Sequence, residues 1–448
     1  LFPTPDLRDG EVRLALPKGF SYRSFQPTGA QLGDGTPVPA RHDGMAAFRS
    51  RGGGTASTLV RNHEINGSTG AFSETAPVYD PAAPGGTTTI VVSGTGEVHD
   101  SWASLVGTQM NCSGGAMPWR SWVTCEETVN GPDVFDDFTR GSAPADTYVT
   151  NARLTKRHGY MFEVPVDGRT GAYPVRAAGR FAHEAIAYSP DEGVFYLTED
   201  DFGFPSGFYR YVPPSDPKRS RRLEDGGELY MLAVRGKPLA HLEADQPIGT
   251  RYDVEWVRIE DPDPTFSMRD GRPTVTNDEA IHAVAQQGWA QGAAFFARNE
   301  GAAFDRGTVY FTSTQGGGPR EEWEPGDPSV PNGFGNGFGH IWAYHTAEQQ
   351  LELVYQSPGR DVLDFPDNLT TSNRGTVVIC EDSTEGNWLR GLTRHGELFD
   401  IAQNMIGTGD DEFAGSTFSH DGRTLYVNIQ SSRGLSLAIW GPWGRIGV

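Results

Sequence analysis

The sequence predicts an all-β fold, a six-bladed β-propeller built from four-stranded antiparallel blades. Three observations carry this. Gly 57 and Pro 31 make up about a fifth of the 448 residues, a turn-dense composition that disfavours long helices. A hairpin pattern whose second strand ends at similar residues recurs six times along the chain. Further strand-like stretches follow each hairpin, so the repeating unit holds four strands, as a propeller blade does.

The six hairpins are "HDGMAAFRSRGGGTASTLVRNHE" (42–64), "NCSGGAMPWRSWVTCEE" (111–127), "HEAIAYSPDEGVFYLTEDD" (183–201), "NEGAAFDRGTVYFTST" (299–314), "DNLTTSNRGTVVICEDS" (367–383) and "EFAGSTFSHDGRTLYVNIQ" (412–430). Glycine-containing turns such as "DRG" and "SHDGR" join most of the strand pairs, the residues that tight reversals demand. After the first five hairpins come two more stretches each, for example "GYMFEVPV" (159–166) and "AYPVRAAG" (172–179) in unit two. Unit six has only "LSLAIWG" (435–441) left. The missing strand is assigned to "EVRLALPKGF" (11–20), which would close the ring by pairing first with last. The chain therefore reads as a single propeller domain over 1–448. The largest excess, about 238–295 between units three and four, reads as a loop and helix insertion over the channel face. Its helix is expected over 276–292, capped by Thr276 or Asn277.

A formal net charge of −21 excludes the basic face that nucleic acid or an anionic membrane would need. No apolar run approaches the ~18 residues that span a bilayer, so a soluble protein is expected. The chain starts at Leu1 without a basic-plus-apolar leader, which fits an exported, mature protein whose signal peptide is gone. A monomer is expected. Three cysteines, Cys112, Cys125 and Cys380, are too few for a disulfide scaffold and odd in number.

In a propeller the start of a blade's first strand and the end of its second lie together near the axis. Acids occupy both places here. Asp43, Glu184, Glu300, Asp367 and Glu412 stand at first-strand starts, and Glu64, Glu126, Glu127 and Glu199 to Asp201 at second-strand ends, with Glu381 and Asp382. Carboxylates gathered this closely raise one another's pKa and destabilise the fold unless cations sit between them. Oxygen donors point to hard cations, calcium first. Cys112 takes the first-strand place of unit two, and a thiolate among carboxylates points to a transition metal, iron or zinc; a buried small hydrophobe and a Cys112–Cys125 disulfide are the alternatives. Cys125 and Cys380 read as buried hydrophobes facing away. His63 and His183 read as hydrogen-bonding groups or ligand supports. Arg298, two residues before Glu300, suits a bidentate grip on phosphate or carboxylate, or an ion pair balancing the excess acid.

With these residues assembled, the chain resembles the PhoX-type alkaline phosphatases. The resemblance rests on "LPKGFSYRSF", "DGTPVPARHDGMAAF", "LVRNHE", "NCSGGAMPWRSWVTCEE", "GRFAHEA", "YLTEDD", "FARNEG" and "EFAGSTFSHDGRTLYVNIQ" in order, and covers almost the whole chain. It implies an exported six-bladed propeller, typically sent by the twin-arginine route, that hydrolyses phosphomonoesters at a cluster of Fe3+ and Ca2+. It implies that Cys112 binds iron, that Glu64, Glu126, Glu184, Glu300 and Glu412 bind metal, and that Arg298 binds phosphate. Glu199, Asp367, Glu381 and Asp382 complete the candidate ligand set by position. Two departures stand out: unit four ends in "YFTSTQGGG" without an acid, and "SLVGTQMNC" offers no second phosphate-binding cation. Rival readings are phosphodiester or phosphotriester hydrolysis, a calcium-dependent lactonase, and a metal-stabilised binding propeller without catalysis.

Overall fold

The computed structural model describes residues 1–136, 148–325, 333–407 and 411–448. Three N-terminal strands come first: β1 (Phe2–Pro5), β2 (Val12–Leu16) and β3 (Ser21–Phe25). Unit one is β4 (His42–Arg49), β5 (Ser57–His63), β6 (Gly85–Val92) and β7 (Val98–Thr108). Unit two is β8 (Asn111–Met117), β9 (Ser121–Glu126) and β10 (Met161–Pro165). Unit three is β11 (His183–Ser189), β12 (Val194–Glu199), β13 (Phe208–Val212) and, after the single turn α1 (Pro217–Ser220), β14 (Glu228–Val234). Between units three and four lie β15 (Arg251–Ile259), the hairpin β16 (Met268–Arg269) and β17 (Arg272–Pro273), α2 (Asn277–Ile281) and α3 (Ala283–Trp289). Unit four is β18 (Asn299–Asp305), β19 (Thr308–Ser313), β20 (His340–His345) and β21 (Gln350–Gln356). Unit five is β22 (Pro366–Thr371), β23 (Val377–Glu381), β24 (Trp388–Leu392) and β25 (Leu398–Asn404). Unit six is β26 (Glu412–Phe418), β27 (Thr424–Gln430) and β28 (Leu435–Trp440).

All strands within a unit pair antiparallel. In unit four Asp305 pairs with Thr308 across Arg306 and Gly307, and both turn residues have positive φ, 50° and 83°. That is the two-residue turn whose twist matches the strands it joins. The first strands neighbour one another in the order β4, β8, β11, β18, β22, β26, and β26 returns to β4. They approach closely: a Cβ on Gly44 would lie 2.5 Å from Ser113 Cα, and one on Gly301 2.6 Å from the Leu369 amide nitrogen. Only glycine lets the innermost backbones meet there. The result is a β-propeller.

The expectation of six separate four-stranded blades is corrected. Among the described residues the ring contains five hydrogen-bonded sheets, of three, four, four, six and nine strands. β15 pairs with β14 on one edge and β21 on the other, fusing units three and four. β1 and β2 extend unit five, with Leu14 opposite Asn404. Unit two lacks its expected fourth strand over 172–179; Pro174 makes one bridge to Phe162 and a 3-10 turn, Arg176–Ala178, follows. A proline cannot donate to a ladder.

Ring closure is also one strand out from the expected place. The stretch 11–20 does not meet the last unit; β3 does, with Ser21 opposite Trp440 and Phe25 opposite Ser436. Pro17 and Gly19 break the stretch into a turn, with Gly19 at φ 92° and the Phe20 amide donating to the Pro17 carbonyl. The helix expected over 276–292 is two short ones divided at His282. Thr276 caps the first and forms a reciprocal box with Glu279, satisfying two orphan donors at once. Val284, Ala285 and Trp289 bury against Met231 and Phe295, and no residue of 238–295 lines the acidic pocket described next.

Candidate metal centre

A backbone device repeats in five units and aims side chains at the axis, two per unit except in unit four, where Thr314 bonds the Pro366 carbonyl instead. Just before each first strand, a carbonyl accepts the amide of the residue following the second: Glu64 to Arg41, Glu127 to Met110, Asp200 to Ala182, Thr314 to Arg298 and Asp382 to Phe365, at 2.8–3.1 Å. Four of the acceptors, Arg41, Met110, Arg298 and Phe365, have φ between 42° and 52°. This left-handed conformation is uncommon for side-chain-bearing residues and concentrates at functional sites. Two residues on stand Asp43, Cys112, Glu184, Glu300 and Asp367, each followed by a bulge that bends the strand, a device that re-aims side chains. In unit six the corresponding register position is Gly415, and Glu412 enters from three residues earlier, opposite Gln430.

The outcome is a pocket of about 310 Å³ that gathers Glu64, Cys112, Glu184 and Glu300 with Asp367, Asp382, Glu412 and Arg298. Three sets each bring one ligand atom per residue within 4.8 Å of the others: Cys112–Glu127–Glu184, Glu127–Asp200–Glu300 and Glu184–Glu300–Asp367. Burial pushes the carboxyls of Asp43, Glu127, Glu184, Glu300 and Glu412 well above the ordinary range, and neighbouring carboxylates add to it. Asp367 is pushed up to about 8, by burial and then by Asp382. At Asp200 burial acts upward most strongly, but the charge and hydrogen bond of Arg298, with hydrogen bonds from Glu127 and Glu300, together bring the pKa down. The Cys112 thiol is raised by burial, then by Glu184 and Glu127. Arg298 donates from Nε and Nη2 to both Asp200 oxygens, at 3.0 and 2.6 Å, and from Nη2 to Glu300 at 2.8 Å.

Three expected ligands lie elsewhere. Glu126, Glu199 and Glu381 are the last residues of their second strands, paired with Asn111, His183 and Pro366. Strand alternation turns them off the axis, and the next residue faces it. Glu126 accepts from the amides of Gln109, Gly159 and Tyr160 and bonds His158 Nδ1 at 2.6 Å. Glu199 accepts from the Gly207 amide and the Tyr209 hydroxyl, and burial pushes it up to about 8. Glu381 accepts from Arg390 and the Asp364 amide. Their places are taken by Glu127, Asp200 and Asp382. A Glu127→Gln variant is expected to lose metal, whereas Glu126→Gln keeps it but loses about 3 kcal/mol of stability, the scale of breaking a buried ion pair. Elemental analysis and urea unfolding of the two variants read this out.

The pocket also contains Asp43 and an arginine, Arg41, whose Nη2 meets Glu64 at 2.7 Å. The acidic ring is therefore not free of cations. The signal for Arg41 is its place two residues before Asp43, as Arg298 stands two before Glu300. His63 bonds the Ala40 carbonyl and Thr88 Oγ1, and His183 the Gly179 carbonyl; both are outside the pocket lining and brace the loops before their strands. All three cysteines are free thiols, which removes the Cys112–Cys125 disulfide. A larger cavity of about 610 Å³ opens among the residues that follow the bulges, with Met45, Ile186 and Leu369 in its wall. No Asp or Glu is among its lining residues.

Metal fits the acidic pocket. Asp43 Oδ1 and Glu184 Oε2 are buried without a hydrogen-bond partner, which is costly for carboxylates unless a cation is there. One thiol among oxygen donors adds a soft ligand to a hard set.

The fold and this pocket define a propeller with a carboxylate-rich site able to hold metal ions, gripped by a fixed guanidinium. The sequence profile of the alkaline phosphatase PhoX family matches residues 3–103 and 94–432. The chain belongs to the PhoX alkaline phosphatase family and is of the phosphatase class of hydrolases. Among solved structures it is similar to Pseudomonas fluorescens PhoX in complex with vanadate, a transition state analogue, at 19% identity and TM-score 0.68, covering 96% of each chain. A gluconolactonase of Xanthomonas campestris matches at 13% identity and TM-score 0.39, over 94% of this chain and 99% of that one. No curated protein matches the sequence.

Proposed function

We propose that this chain is an exported, monomeric phosphomonoesterase whose pocket holds Fe3+ and Ca2+. The observation that carries the reading is the pairing of unpartnered buried carboxylate oxygens with a fixed guanidinium in one pocket. Cys112, Glu127 and Glu184 would hold iron, and the oxygen-only sets around Asp200, Glu300 and Asp367 would hold calcium. Bound di- and trivalent cations would supply positive charge to phosphate oxygens and lower the pKa of water. They would also invert a local potential that otherwise repels an anionic substrate.

The chain's own residues do the positioning. Asp200 and Glu300 fix the Arg298 fork before substrate arrives, so its donation to a phosphoryl oxygen costs no reorganisation as charge develops. Asn368 Nδ2 donates to Asp367 at 2.7 Å and to Glu184 at 3.3 Å, and Gln430 Nε2 to Asp43 at 2.7 Å. Each bond orients a carboxylate from behind, as outer partners of metal ligands do.

Elemental analysis of the purified protein, with hydrolysis of p-nitrophenyl phosphate and bis(p-nitrophenyl) phosphate on the same preparation, tests the proposal. Iron with calcium and faster monoester turnover is expected. One calcium without iron would favour a lactonase, and faster diester turnover would move the substrate class. A metal-replete protein inert to both esters would leave a binding propeller.

A further inference from the structure

Arg41 and Arg298 are the same residue in two repeats. Each precedes its unit's inward acid by two positions, Asp43 or Glu300. Each has a left-handed backbone, φ 50° and 52°, and each carbonyl accepts the amide that follows the second strand. Each guanidinium turns its Nε–Nη2 edge to a carboxylate: Arg41 to Glu64 at 3.1 and 2.7 Å, Arg298 to Asp200 at 3.0 and 2.6 Å. In both, Nη1 stays outside the clamp. The two units are three steps apart either way around the ring of first strands, so the arginines enter one pocket from opposite sides.

They differ in depth. The Arg298 side chain is 15% exposed and that of Arg41 46%. An ester whose phosphoryl group lies against the buried Arg298 therefore directs its leaving group outward, past Arg41. Pro39 and Ala40 precede this arginine and brace His42 and His63 through their carbonyls, so its backbone is held rather than trailing in a loop. In the lining of so acidic a pocket, a clamped guanidinium with nearly half of its side chain exposed is the feature that would admit a second negative charge.

We infer that Arg41 is a specificity residue that binds an anionic group on the leaving-group side of the substrate, so that the preferred esters carry a negative charge beyond their phosphate. This rests on the phosphatase reading above. It goes beyond that reading by naming the class of ester.

The test uses a matched pair on the metal-replete protein: 3-phosphoglycerate and glycerol 3-phosphate, which differ in a carboxylate against a hydroxymethyl group. The wild type should favour 3-phosphoglycerate in kcat/KM. Arg41→Gln should lower that ratio about tenfold, the scale of one charge-assisted hydrogen bond, and Arg41→Lys should restore part of it. A merely structural role for the clamp on Glu64 would lower both substrates together and leave the ratio unmoved, which overturns the inference. So does a wild type that hydrolyses glycerol 3-phosphate at least as well as 3-phosphoglycerate, although the phosphatase reading then stands. Hydrolysis of neither ester by a preparation that turns over p-nitrophenyl phosphate overturns the inference alone, and a preparation inert to all three sinks both.

Discussion

On the proposed iron assignment, Cys112→Ala is expected to yield a protein without iron and without iron-linked visible colour, while Cys125→Ala is expected to keep both. The two thiols sit opposite one another in one hairpin and are equally buried, so hydrophobicity does not separate them; direction does. Cys112 Sγ shares a cluster with Glu127 and Glu184 and lines the acidic pocket. Both thiols border the apolar cluster of Val123, Met161 and Ile186, but Cys125 is not among the residues that line the acidic pocket. Burial raises both thiols well above their ordinary value, so neither ionises without a cation beside it. Among the described residues, Cys112 is the one cysteine that belongs to a group of potential metal ligands. The measurement is iron per chain by elemental analysis with the visible spectrum. Equal iron in the two variants refutes the thiolate assignment, and a stability loss alone does not imitate the result, because Cys125→Ala opens a cavity of similar size.

Much of this site was readable from the chain, and its errors share one physical origin. The hairpins were visible because their turns need particular residues, as "DRG" does between Asp305 and Thr308. The convergence of acids followed from repetition of those hairpins around an axis. What did not follow was which of two adjacent residues faces inward. Glu126 and Glu127 differ by one position, and in a strand one position is half a turn. The amide that bonds back to Met110 decides the matter, and that bond depends on a left-handed residue that is a methionine, with no glycine to advertise it. Arg41 was hidden because a lone arginine amid many acids gives no pattern of its own, although "RHDG" and "RNEG" carry the same spacing. Ring closure slipped because β2 and β3 are adjacent and each buries a few apolar residues, such as Leu14 and Tyr22. The turn at Pro17 and Gly19 assigns them to different units, and pairing partners of terminal strands are set by tertiary packing that local pattern does not encode.

Arg298→Gln is expected to lower kcat/KM for p-nitrophenyl phosphate by about 10²–10³, the cost of removing one preorganised donor from a developing oxyanion. Inhibition by inorganic phosphate weakens with it. The guanidinium is held by three charged contacts, to both oxygens of Asp200 and to Glu300, so its position before substrate binding is its position after. Lysine keeps the charge but not the fork, and Arg298→Lys should recover only part of the activity. Because Asp200 and Glu300 also belong to a ligand set, metal content must be measured in each variant. Lost activity with lost metal would make Arg298 a support for the cluster. Lost activity with metal retained and phosphate affinity reduced places the guanidinium on the substrate, and unchanged phosphate affinity removes it from the chemistry. The glutamine variant leaves its two carboxylates without their cation, so metal uptake, if it shifts at all, should rise. A fall in activity with metal content unchanged or raised therefore cannot be charged to an emptied site.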